Sequence, residues 1–282
     1  VPSSHRFTLE EVIIGDTPAA WEKAGFTVRT PQEPAGASTL DAQRDERPTL
    51  GVVAIGGVRI RLVGEDGPRG IEGWTLTRND DLPLDLEAAS SGFGLEPIPG
   101  APAPTDLASH GGGSNFEVGS LDGLPTVWPR RSGHVSADSA DDHPNGATAI
   151  DHVVVMTPDV DRTIDAAESI GLSVRRTVDT EANGTPMRQT FFVLHTALLE
   201  LVGPLEATGS GPSVFFGLAI STPNLPGLDK LLGDGVGPAR PAVQPDRQVR
   251  TARAKAFGLS FPLLFMSPRP ETLNRDLRRR SR

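Results

Sequence analysis

The chain contains no cysteine and no tyrosine, and its aromatic share is 5%. Without cysteine there can be no disulfide, no thiolate nucleophile and no Cys-type zinc site. An excess of positive charge is also missing. The formal charge is -9 and the pI is near 5.2, which argues against a nucleic-acid binder. The one basic cluster, "NRDLRRRSR" from Asn274 to Arg282, reads as a solvated, frayed end. No apolar run approaches the roughly 20 residues that span a bilayer. The opening "VPSSHRFTLEE" has no signal-peptide pattern, so a cytoplasmic location without membrane contact is the default expectation.

Glycine (31) and proline (26) are plentiful in the 282 residues, which predicts short elements separated by many turns. The clearest stretch is "AIDHVVVMTPDVDRTIDAAESIGLSVRRT", Ala149 to Thr177. Its β-branched opening reads as a buried strand. Thr157 with Pro158 reads as a helix cap, Val160, Ile164 and Ala167 as one apolar helical stripe, and Gly171 as the stop. "LSVRRTV", "MRQTFFVL" and "ALLELVGP" read as three further strands, completing a βαβββ unit.

That grammar recurs. Thr-Pro pairs stand at 17, 157 and 222, about 140 and 65 residues apart, which fits a module of about 60–65 residues used twice in each half. In the last module "RTARAKAFG" and "LSFPLLFMSP" read as the closing strands. A more eroded fourth copy begins at "GIEGWTLTRNDDLPLDLEAASSGFGLEP". The expected organisation is an N-terminal domain over 1–129 (modules about 6–66 and 68–129), a linker over 130–147, a C-terminal domain over 148–270 (modules about 148–205 and 213–268) and a basic tail over 271–282.

"IDHVVVMTPDVDRTIDAAESIGLSVRRT" followed by "RQTFFVLHTALLELVGP" resembles the glyoxalase-like module of the vicinal-oxygen-chelate superfamily, which includes glyoxalase, bleomycin-resistance and extradiol-dioxygenase-type proteins. The resemblance implies an α+β fold in which four βαβββ modules form two cupped mixed sheets with helices outside. It also implies a cup that holds one divalent metal (Zn, Mn, Fe or Ni) or a small-molecule ligand. Modules of this family pair within or between chains, which leaves a homodimer open.

His152 in the first strand and Glu200 in the fourth match the family's histidine and glutamate. Strict alternation puts Ile150, His152, Val154 and Met156 on one face. A carboxylate in an apolar strand is costly unless it is paired or binds a metal. His152 and Glu200 are therefore the candidate catalytic and metal-ligating residues, with His195 in "FFVLHTALLEL" as the nearest third ligand. The plainer reading makes His152 a hydrogen-bonded partner of Glu200. Arg188, Phe191 and Phe216 are the candidate ligand-binding residues, an arginine fork and an apolar wall. Matching the repeats places Gly217 and Leu264 where a second histidine and glutamate would stand, Glu11 and Arg61 at the positions in the first module, and Gly73 in the second. Extradiol dioxygenase chemistry, which needs two histidines and a carboxylate, is not expected. A metal-dependent lyase or isomerase, a metal-free binder of an apolar metabolite or drug, and a structural scaffold stay open. "HGGGS", His110 to Ser114, reads as a glycine-rich loop, since no nucleophile elbow accompanies it.

Overall fold

The computed structural model describes residues 6–31, 47–79, 116–129, 141–182 and 184–269. The helix expected within the second module, the "HGGGS" loop and the basic tail lie outside the described residues. The first half comprises β1 (Phe7–Ile14), α1 (Pro18–Lys23), β2 (Gly51–Ile55), β3 (Val58–Leu62), β4 (Ile71–Arg78), β5 (Phe116–Leu121) and β6 (Leu124–Pro129). The second comprises β7 (Ala149–Met156), α2 (Val160–Ser169), β8 (Val174–Ala182), β9 (Thr185–Val193), β10 (Leu198–Pro204), β11 (Val214–Ser221), α3 (Leu228–Leu232), β12 (Arg240–Pro241), β13 (Gln248–Ala252), α4 (Ala254–Phe257) and β14 (Leu263–Met266). No helix among the described residues is long and apolar enough to cross a membrane.

Two curled mixed sheets result. One has the order β2-β3-β1-β4-β6-β5, the other β12-β13-β14-β11-β7-β10-β9-β8. The orders superpose: β3-β1-β4-β6 repeats β10-β7-β11-β14, with the leading strands antiparallel in the middle and each closing strand parallel to its own leader. A bridge between Arg29 and Val52 is the stub of the strand that β8 represents in full. The four-module reading of the repeats therefore corresponds to the observed topology.

The Thr-Pro signal acts in two ways. Thr17 caps α1, accepting a hydrogen bond from the Ala20 N–H, with Pro18 in the first turn. In the third module the cap lies two residues later than expected. Asp159 accepts from the Arg162 N–H, while the Thr157 hydroxyl accepts from the Asp159 N–H and so turns the chain into the helix. Asp159 adds a negative charge at the helix start, which a threonine lacks. "RTARAKAFG" is also divided differently. Its strand ends at Ala252, and α4 follows, closed by Gly258 in the left-handed region at φ +87°.

One apolar core serves both halves. Val153, Val155, Phe192 and Leu199 of the second sheet belong to the same buried cluster as Val12, Trp21, Ile60 and Trp74 of the first. The end of the expected linker joins it: Asn145 is buried and donates from Nδ2 to the Ala24 carbonyl, and its own N–H bonds the Gly25 carbonyl. A second tie is the tight β5–β6 hairpin. Asp122 and Gly123 both have positive φ, as an Asp-Gly turn requires. The buried Asp122 carboxylate accepts from Arg162 Nε (2.9 Å) and Nη2 (3.2 Å), from Ser213 Oγ (2.6 Å) and from Thr163 Oγ, all in the second half.

Candidate functional site

β7 lies between β10 and β11, so its side chains occupy the middle of the larger sheet. His152 is opposite Leu198 on β10 and Ala219 on β11, and Glu200 is opposite Val154 and Phe191. This diagonal placement brings His152 Nε2 to 3.0 Å from Glu200 Oε2. Both residues are buried. The sheet therefore joins the two groups that the sequence separates by nearly fifty positions.

Strict alternation fails one residue earlier. The register steps from Ala219↔His152 to Ile220↔Ile150, leaving Asp151 as the extra residue of a β-bulge. The bulge turns Ile150 into the apolar core with Val153 and Val155, rather than onto the face of His152. It also lets consecutive side chains meet. Asp151 Oδ1 is 3.0 Å from His152 Nδ1. Behind it, Arg247 forks onto the carboxylate, with Nη1 3.1 Å from Oδ1 and Nη2 2.5 Å from Oδ2. Arg269 Nη2 donates to the Asp151 carbonyl at 2.8 Å, and Arg247 Nε donates to the Ser267 carbonyl at 2.9 Å. The resulting chain is Arg247–Asp151–His152–Glu200. Asp151, Arg247 and Arg269 were not among the residues expected from the sequence. The acidic neighbour of a strand histidine was the one available signal.

Burial alone would push the His152 pKa down, because desolvation penalises imidazolium. Hydrogen bonds and charges from Asp151 and Glu200 more than reverse this and raise it to about 9. Burial pushes Asp151 the other way, upward, but His152, Arg247 and Arg269 hold it well below the usual carboxylate range. The histidine is thus an imidazolium between two carboxylates.

A pH dependence follows. A folded-state pKa above the ordinary value of about 6.5 means that the fold binds this proton more tightly than the unfolded chain. The stabilisation is complete below pH about 6.5 and is lost as pH rises through about 9. The expected loss is about 3 kcal/mol relative to a His152→Gln variant. Urea unfolding of both proteins across this range measures it; parallel curves would show that His152 carries no extra proton in the fold.

The other candidates are dispersed. Phe191 lies beside Glu200 on the same face. Arg188 is on the opposite face, because it is an odd number of residues from Phe191. It forks onto Asp179, with Nε 2.8 Å from Oδ1, and lies 3.9 Å from Asp161 of α2. Arg188 is therefore a helix-side residue and does not meet Glu200. Phe216 is the bulge residue of β11 and is 46% exposed. His195 is exposed in the β9–β10 turn, where its N–H bonds the Phe7 carbonyl at 2.8 Å. A cavity of about 670 Å³ between α3 and β13 lies away from these groups and is lined by Leu225, Asp229, Gln248 and Arg250.

The donor set does not fit a catalytic divalent metal, which normally takes about three protein ligands and an open position. Among the described residues no three of His, Cys, Asp and Glu are grouped so that they could hold a metal ion: Asp151 and Glu200 lie on opposite edges of the His152 ring. Register confirms the equivalents: Leu264 pairs with Ala219 as Glu200 pairs with Val154, so Leu264 and Gly217 occupy the second pair of positions. A Cβ on Gly217 would be 2.5 Å from the Pro262 carbonyl oxygen, so no histidine fits there without displacing backbone.

Two curled mixed sheets, with a histidine and a glutamate converging on the larger, agree with the cupped α+β fold that the resemblance to the vicinal-oxygen-chelate superfamily implies. No family model and no curated protein matches the chain. Solved structures do match it in fold. A triple mutant of 4-hydroxymandelate synthase from Streptomyces coelicolor aligns over 95% of this chain and 93% of its own, at 14% identity and a TM-score of 0.53. A variant of homoprotocatechuate 2,3-dioxygenase from B. fuscum aligns over 95% of this chain and 73% of its own, at 13% identity and a TM-score of 0.54.

Proposed function

We propose that the protein is a glyoxalase-like small-molecule binder whose ligand rests on the His152–Glu200 floor of the larger sheet, with Phe191 as the adjoining apolar wall. The observation that carries this reading is the 3.0 Å contact between two buried, oppositely charged groups amid Val154, Gly217 and Ala219. A folded chain keeps such a pair in an apolar sheet at a cost, and hydrophobic replacements are often no less stable. A role in binding gives this costly pair a use.

Each group has a part. Arg247 and Asp151 fix the plane of the imidazole. His152 uses one N–H on each carboxylate and so orients Glu200. The second Glu200 oxygen can accept a hydrogen bond from a polar head group, while an apolar body packs on Phe191. The same relay also favours a second reading, proton transfer of the isomerase or lyase type, in which the Glu200 carboxylate takes a proton from the ligand and the ligand's conjugate base is left beside the His152 imidazolium, whose charge offsets it. The dioxygenase activity named for one structural neighbour is not carried over, because Gly217 and Leu264 leave its ligand set incomplete.

The test is a thermal-shift screen of the full chain against phenols, alicyclic alcohols and aromatic amines, repeated on Glu200→Gln and Phe191→Ala. A ligand present at 100 times its Kd stabilises by about 2.7 kcal/mol. A hit is expected to lose at least tenfold in affinity in both variants. Hits that bind all three proteins equally would place the site elsewhere and end the reading.

A further inference from the structure

Both sheets use the chain's own charges at the same two positions. Glu11 follows the bulge residue Glu10 in β1, as His152 follows Asp151 in β7. Arg61 is opposite Ile13 in the parallel β1–β3 pair, as Glu200 is opposite Val154 in β7–β10. Glu11 and Arg61 therefore repeat the His152–Glu200 placement with the charges exchanged. They are buried and in contact: Arg61 Nε is 3.5 Å from Glu11 Oε1, and Arg59 Nη2 is 2.5 Å from Oε2.

The second module of each half is blank in the same manner. Gly73 repeats Gly217, and Val127, opposite Thr75, repeats Leu264, opposite Ala219. Each glycine is pressed by a proline carbonyl two residues before the aliphatic position. A Cβ would come within 2.5 Å of Pro262 O at Gly217 and within 3.1 Å of Pro125 O at Gly73. The arrangement thus appears twice in one chain: a carboxylate–cation pair in the first module, and glycine plus an aliphatic residue in the second.

We infer that in both sheets an ion pair supplied by the chain takes the place of a divalent metal ion, so that the protein folds and keeps its site without one. The chemistry supports this in each case. A metal entering between His152 and Glu200 must break their contact and remove the imidazole proton. It would then find two ligands where catalytic sites have about three. In the smaller sheet the guanidinium of Arg61 is a donor only and offers no lone pair to a metal. The inference concerns the ion alone and holds whether or not a small molecule binds.

The test uses the full-length protein, incubated separately with Zn, Mn, Ni and Fe(II), freed of unbound metal and assayed for metal per chain. Melting is followed with and without chelator. Expected are well under one metal per chain, no change in melting temperature on chelation, and no difference in metal content among wild type, His152→Gln and Glu200→Gln. One equivalent of metal in the wild type, lost from both variants, would overturn the inference. Nitrogen NMR of His152 in excess Zn gives a readout independent of variant folding. Two protonated ring nitrogens are expected, and a metal-bound, unprotonated one would refute it.

Discussion

Replacing Asp151 by alanine is expected to cost the fold about 3–5 kcal/mol, the range for breaking a buried ion pair from one side. The carboxylate accepts from Arg247 and His152 at once, and Arg247 is buried. Its removal leaves a desolvated guanidinium facing an imidazolium. At roughly 2–4 °C per kcal/mol for proteins somewhat smaller than this one, the melting temperature should fall by about 10 °C. The double replacement Asp151→Leu with Arg247→Met should recover part of the loss, because the guanidinium is no longer stranded, while His152 Nδ1 is still left without its acceptor. Urea unfolding of the single and double variants checks both statements. A single variant within about 1 kcal/mol of wild type would mean that Asp151 is not engaged as described.

The second large effect is expected at Asp122. Asp122→Ala removes the acceptor shared by Arg162, Thr163 and Ser213, and it leaves a residue with φ +49° without the side chain that suits that conformation. Arg162 retains some solvent contact, so its loss is partly compensated. The expected cost is about 3 kcal/mol. Asp122→Asn keeps an acceptor oxygen and the turn preference and should cost about half as much. Because these bonds cross between the halves, the alanine variant should also show earlier proteolysis at the β5–β6 hairpin. Equal stability of the two variants would show that the charge, and not the hydrogen-bond geometry, holds the hairpin in place.

Much of this architecture is legible in the sequence, because repetition samples the same local physics more than once. One Thr-Pro pair is weak evidence, but three in matching contexts fix the module length. The His152–Glu200 contact was readable because the resemblance brings the two strands together and each costly side chain in an apolar strand calls for a partner. The Asp151 contact was not. A bulge is a mismatch between two strands, so nothing in β7 alone marks it, and simple alternation assigns Ile150 to the wrong face. Arg247 is invisible for a related reason: it comes from 96 positions along the chain, in a segment without periodicity. Arg188 is a different case. Counting parity from Phe191 would have put it toward α2, where it meets Asp179 and Asp161.

The closeness of Pro262 to Gly217 restricts what the site can hold. Single replacements that install histidine at 217 collide with a neighbouring carbonyl, and glutamate at 264 alone gains no imidazole partner across the strand. A variant could place an imidazole at 217 only after the backbone at Pro262, just before β14, had moved. The glycine works as a lock, holding position 217 to the one residue without a Cβ while Pro262 stays where it is.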